Sequence, residues 1–372
     1  MAYPRSAFLR RFLARMSRTR SEDPVEVANR MRWRSSTRGH YEVWYLTTNH
    51  RESGVGFWIR YTLEAPDEGR GKPYAQLWCA VFDPADPRAN VALHRSFPLA
   101  RMHSGRAPFS LSIGDSELRS DSARGWLFSG DRELRWNLHW RRAKAVHHHL
   151  PRLLYRRGGL AETTVLSPNL RVPLSGSIVV GDRRFEFAGE SCGQTHLWGR
   201  RHAHSWAWGH CSEFVGEPVG EQGSTIECLS VRLLRAGRLL PPMTMLTLYL
   251  DGEVHHFNSL RQILSRRTTA TIRSGRFAFA ARGGGLRLRG EFCCRPEHMI
   301  SAAYFDPDGT PSHCANTEVG DLDLVVERRE GQRWVLVRRL KARGRAHFEV
   351  GSRERDPAII GEHRLISGAE EP

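Results

Sequence analysis

Along most of the chain apolar and polar residues alternate with a period of two, the pattern of strands that bury one face. The alternation begins near Tyr41 and recurs over residues 41–46, 54–63, 74–82 and 109–113, the last closed by Gly114-Asp115. Over 134–140, Leu134, Trp136, Leu138 and Trp140 alternate with Arg135, Asn137 and His139. Residues 172–188 read as a hairpin about Gly181-Asp182. The pattern continues over 224–234, 244–250 and 253–257, with Asp251-Gly252 a strong hairpin pair between the last two. Short runs at 269–272, 276–280, 286–292, 299–304, 322–327 and 334–340 complete the strands, and 260–264 fits a single helical turn.

Only the N-terminus departs from this period. Phe8, Leu9, Phe12, Leu13 and Met16 recur at three- and four-residue spacing with Arg10, Arg11, Arg15 and Arg18 between them, a basic amphipathic helix. Such a helix can lie on an anionic membrane surface, or pack on its own protein. Ser21-Glu22-Asp23-Pro24 starts a second short helix reaching Met31, with acidic residues in its first turn. Strand after strand with polar turns and little helix predicts an all-β chain. At 372 residues it exceeds one ordinary core, so two barrels or sandwiches are expected.

Charge changes that picture little. The net charge is +16, carried mostly by arginine, but the arginines spread along the whole chain and alternate with apolar residues. They read as solvent faces of sheets, and nucleic acid is not expected as a partner. The one partner surface this composition offers is peripheral membrane contact through the N-terminal segment. No apolar run approaches the ~20 residues of a membrane span. Seven cysteines without a CxxC pair support neither a zinc site nor a disulfide framework. Free thiols and no signal-peptide pattern lead to a cytoplasmic expectation. His147-His148-His149 resembles a metal tract, but neighbouring strand residues point to opposite faces, so a loop leading into Leu150-Pro151 is expected instead.

Residues 188–211 carry the densest candidate chemistry. Gly189, Gly193, Gly199 and Gly209 punctuate a span holding Gln194, His196, Trp198, His202, His204, Trp206, Trp208 and His210. Within it, Gln194-Thr195-His196-Leu197-Trp198-Gly199 followed by Trp206-Ala207-Trp208-Gly209 resembles the Gly-His-Asn-Trp-Gly … Trp-x-Trp-Gly pattern of a lipocalin-like superfamily. That superfamily includes carotenoid hydratases of the hydroxyneurosporene synthase type, AttH-like proteins, tocopherol cyclases and fungal Diels–Alder cyclases. Trp44-Tyr45, the run Phe57-Trp58-Ile59-Arg60-Tyr61, Ser167-Pro168-Asn169-Leu170 and Tyr304-Phe305-Asp306-Pro307-Asp308-Gly309 agree with it, so the resemblance spans roughly 41–343.

The resemblance implies two lipocalin-like antiparallel β-barrel domains, 37–200 and 201–352, between a helical segment (1–36) and a loose tail (353–372). It also implies an apolar ligand pocket between or within the barrels. The hydratases pair a His-x-Trp motif with a downstream Tyr-x-Asp strand whose aspartate protonates the alkene. Here His196-Leu197-Trp198 is kept, but the downstream strand reads Thr225-Ile226-Glu227-Cys228, with Glu227 the nearest carboxylate.

The residue types fit that chemistry or a plainer one. Glu227, if held in apolar surroundings, stays protonated and can donate; otherwise it is a surface carboxylate. His196 can orient water, donate a proton or bind a polar ligand group, or be satisfied by a loop carbonyl. Trp198, Trp206 and Trp208 offer π faces to positive charge, or fill core, and Gln194 can meet a ligand carbonyl. Trp206 and Trp208, two apart, share one strand face. No metal site and no cofactor is expected, since no carboxylate stands at a telling distance from the histidines and no phosphate-cradling loop occurs. The expected function is binding of a hydrophobic small molecule, isoprenoid or polyketide-like, with cyclisation, isomerisation or hydration by acid catalysis. The alternatives are a non-catalytic lipocalin-like carrier of an apolar ligand, or a peripheral binder of anionic surfaces through the basic N-terminus. An enzyme should aim Glu227 or His196 into the pocket beside the tryptophans, whereas a carrier should show an apolar lining with its polar groups at the mouth.

Overall fold

The computed structural model describes residues 22–129, 132–151, 154–155, 162–218 and 223–365; the predicted helix around Phe8–Met16 lies outside them. The second predicted helix forms as α1 (Pro24–Asn29), where Asp23 caps the first turn by accepting from the Val25 amide at 2.9 Å and Pro24 supplies a preset φ. Among the described residues the remaining regular structure is strand, apart from short turns of helix such as α2 (Leu260–Leu264).

Two sheets make the fold. The first contains β1 (His40–Asn49), β2 (Gly56–Ala65), β3 (Tyr74–Phe82), β4 (Val91–Pro98), β5 (Met102–Arg106), β6 (Phe109–Ile113), β7 (Ser116–Arg119), β8 (Ser122–Ser129), β9 (Arg132–Trp140), β10 (His147–His148), β11 (Thr163–Val180) and β12 (Arg183–Gly199). After β12 the chain changes sheet. The second contains β13 (Ser205–Cys211), β14 (Thr225–Arg232), β17 (Met243–Leu250), β18 (Glu253–Phe257), β19 (Thr268–Arg273), β20 (Arg276–Gly283), β21 (Leu286–Cys293), β22 (Ile300–Phe305), β23 (Pro311–Glu330) and β24 (Arg333–Ser352); β15 (Leu234–Arg235) and β16 (Arg238–Leu239) pair only with each other. Neighbours run antiparallel, and the second sheet curls until its ends, β18 and β19, approach, a nearly closed barrel. The chain end departs from the expected loose tail. Ile359 is buried, and two parallel pairings follow it, β25 (Gly361–Glu362) on β22 and β26 (Arg364–Leu365) on β4.

Strand alternation sets three cores. In β1 to β3, Trp44, Leu46, Phe57, Ile59, Tyr61, Leu77 and Cys79 face the interior of the first sheet. On β13, Ala207 and Cys211 face the interior of the second, and Gly209 lies against the Phe292 ring, where a Cβ would stand 2.5 Å from it. The opposite faces bury each other. Tyr41, Val43, Tyr45, Trp58 and Trp78 of the first sheet meet Trp206, Trp208, Ile300 and Tyr304 of the second. This is why β1 and β2 are buried at every position rather than at every second one.

Gly351 allows that contact. It pairs with Trp206, and a Cβ on it would stand 2.1 Å from the indole. Gly351→Ala is expected to displace Trp206 and cost ~1–3 kcal/mol by overpacking, read from the denaturation midpoint. A variant as stable as the parent would show that the ring has room to move.

Candidate functional site

The two outward faces do not fill the space between them. A cavity of about 340 Å³ remains, walled by Tyr41, Val43 and Tyr45 of β1, Trp206 and Trp208 of β13, Leu229 and Val231 of β14, and Met243 and Met245 of β17. Leu150, Leu260 and Ile263 also border it. Its size is within the ~300–1,000 Å³ of small-molecule sites.

Several ionisable groups reach this lining, and most were not singled out by the sequence. His202 is stacked on Tyr41 with ring centroids 4.4 Å apart, and Asp306 accepts from both its Nδ1 (2.7 Å) and its backbone amide (2.8 Å). Donation from Nδ1 leaves Nε2 as the lone-pair nitrogen. Burial pushes the imidazole down in pKa against the pull of Asp306, so it favours the neutral form. Burial also acts on Asp306 in the opposite sense, but the bond from His202 and the Arg353 guanidinium at 2.7 Å keep it ionised. Glu349, on the same lining, accepts from Trp206 Nε1 at 2.8 Å, and burial pushes its carboxyl up. Arg60 of β2 borders it too, its guanidinium carbon 4.1 Å from the Tyr304 ring centroid, as do Arg201, paired with Asp308, and Glu162, paired with Arg235.

Of the six candidate residues named from sequence, Trp206 and Trp208 line the cavity. Glu227 lies buried behind Trp208. It accepts from Trp208 Nε1 at 2.5 Å, His149 Nε2 at 2.7 Å and His210 Nδ1 at 2.7 Å. Burial raises its pKa, yet the bonds from the two imidazoles outweigh that and hold it well below the usual carboxylate range. That makes it a fixed carboxylate and not the protonated donor the sequence reading considered.

Gln194, His196 and Trp198 lie on the other face of β12. Register puts them opposite Leu46, Trp44 and Glu42, toward the interior of the first sheet, while Leu197 between them lines the cavity. His196 donates from Nδ1 to Ala28 O (2.6 Å) and meets Glu42 Oε1 from Nε2 (2.8 Å). Gln194 Oε1 accepts from Asn169 (2.5 Å) and Asn29 (3.5 Å), and Trp198 carries the Arg32 guanidinium 5.0 Å from its centroid. Together they hold α1 and the chain after it. Neither His196 nor Glu227 borders the cavity.

His147 and His148 form the short strand β10 where a loop was expected, and the tract divides as alternation requires. His149 turns to Glu227, while His148 packs its ring against Tyr155. Among the described residues no cluster of histidine, cysteine or carboxylate is arranged for a metal ion, and the seven cysteines are free thiols. No helix among them is long and apolar enough to cross a membrane.

No protein-family model matches the sequence. The uncharacterized proteins Rv0493c and MT0513 of two Mycobacterium tuberculosis strains are each 28% identical over 337 residues, covering 89% of this chain and 92% of theirs. Among solved structures, a putative AttH from Nitrosomonas europaea superposes with a TM-score of 0.51 at 13% identity, over 88% of this chain and 98% of that one. Kievitone hydratase from Nectria haematococca superposes with a TM-score of 0.49 at 8% identity, over 83% and 88%. The chain therefore has the AttH-like fold.

Proposed function

We propose that the protein binds a hydrophobic small molecule in the cavity between its two sheets. One observation carries the reading: aromatic and aliphatic side chains from β1, β13, β14 and β17 wall a hollow that the packing leaves open. Closing it would bury more apolar surface at ~25 cal/mol per Å², so an unfilled hollow of this kind is a cost that an apolar ligand offsets.

Filling the cavity tests this. Full-length protein is purified, denatured and extracted with organic solvent, and the extract is compared by mass spectrometry with that of Val231→Trp. Apolar compounds bound to the parent are expected to fall about tenfold or more in the variant, the effect of losing ~1.4 kcal/mol or more of binding. Equal recovery from both proteins, or from neither, would count against the reading.

A second reading adds chemistry to binding. His202, neutral and held by Asp306, faces the same hollow as Glu349, whose burial favours the protonated acid. Two groups whose surroundings push one toward the neutral base and the other toward the protonated acid match proton transfer to and from a bound molecule. This supports isomerisation or hydration by acid catalysis, with these two residues in place of His196 and Glu227.

A further inference from the structure

We infer that the cavity's ligand is an amphipathic monocarboxylate whose head group is received by Arg60. The inference rests on the proposed binding function and narrows it to a chemical class.

Arg60 is 4% exposed, yet it borders the cavity. Its Nε donates to Thr62 Oγ1 at 2.9 Å, and the guanidinium carbon sits 4.1, 5.5 and 5.8 Å from the ring centroids of Tyr304, Trp78 and Trp58. Among the described residues no ion pair includes it. By contrast, Arg201, which also borders the cavity, pairs with Asp308 at 2.7 Å.

The carboxyl groups nearest in charge do not fill the gap. Asp306 is occupied by His202 and Arg353, and Glu349 accepts from Trp206. Burial raises the Glu64 carboxyl to about 8, so it brings no full negative charge at neutral pH, and pushes Glu349 in the same direction.

A guanidinium this far from water needs a counter-charge. Aromatic faces attract the cation but leave its N–H fork without the planar acceptor it matches best, a carboxylate. Of the three guanidiniums that border the hollow, Arg201 pairs with Asp308 and Arg235 with Glu162, which leaves the Arg60 fork to receive a single negative charge. A diphosphate would call for several cations or a helix N-terminus.

The test uses delipidated full-length protein at neutral pH, titrated calorimetrically with octanoate, decanoate and dodecanoate and with the matched 1-alkanols. The acids are expected to bind about 10- to 100-fold more tightly than the alcohols, the value of a charge-assisted bond. Arg60→Met should abolish that preference and leave alcohol binding within about twofold, while Arg60→Lys should keep part of it. Alcohols binding the parent as well as acids do would overturn the inference and leave the binding reading intact. If no member of either series binds, both fall. The parent's acid-to-alcohol ratio decides the matter even if Arg60→Met does not fold.

Discussion

Glu42→Ala is expected to remove on the order of 3–5 kcal/mol of stability at neutral pH and to release α1 from the first sheet. The buried carboxylate accepts four bonds. Oε1 takes the Arg32 amide at 2.6 Å and His196 Nε2 at 2.8 Å, and Oε2 takes the Trp33 amide at 2.8 Å and His40 Nε2 at 3.2 Å. Alanine would strand two backbone amides and two imidazole nitrogens away from water. It would also leave an imidazole between Ala28 O and nothing. Glu42→Gln, keeping one acceptor oxygen, should fall between parent and alanine variant.

The pH dependence of that loss has a definite sign. Burial alone would raise the Glu42 pKa, but the bonds from His196, His40 and the Arg32 amide outweigh it and hold it at about 2 against an ordinary 4.5. A carboxyl lowered on folding contributes stability that is present above about pH 4.5 and lost as pH falls toward 2. The gap between parent and Glu42→Ala in urea midpoints should therefore be widest near neutrality and shrink through that window. A gap that does not change with pH would mean the carboxylate is not what holds the helix.

The same site shows how far the sequence could be read. Strand positions were legible because alternation reports them directly, and Trp206 and Trp208 were rightly placed on one face. The long hairpins were read too short. β23 and β24 run twenty residues each, but register shifts between Thr317 and Gly320 and between Val326 and Glu327 interrupt the alternation that would reveal them. In β11, Gly176 at φ +116° marks a similar bend, against the Asn137 carbonyl.

The cavity itself was not legible in the central stretch alone. Motif density drew Gln194, His196 and Trp198 together with Trp206 and Trp208, yet the first three belong to β12 and the last two to β13, on different sheets. A shift of one residue decides which side of a sheet a group serves, and β12 sends Leu197, not His196, to the cavity. His202 stood in the same stretch, but its partner Asp306 is 104 positions away. Arg60 and Glu349 carried a signal only in retrospect: each is a charged residue on a strand face that the other sheet covers.

The last expected result runs opposite to the first. Glu64→Gln should stabilise the protein, by on the order of 3 kcal/mol near pH 8, and should change little below pH 4.5. Glu64 faces the second sheet from β2 and is buried there; Tyr41 and Tyr74 stand opposite it on the neighbouring strands. Burial raises its pKa from 4.5 to about 8, against the attraction of Arg60 and with the help of Asp306. A carboxyl raised on folding makes the native state bind more protons, so stability falls as pH rises from 4.5 to 8. Glutamine imitates the neutral acid and removes that slope. Urea midpoints of parent and variant should coincide at pH 4 and diverge steadily up to pH 8. Parallel curves would mean that Glu64 ionises freely and that Arg60 has a charge partner after all, which ties this measurement to the carboxylate reading of the cavity.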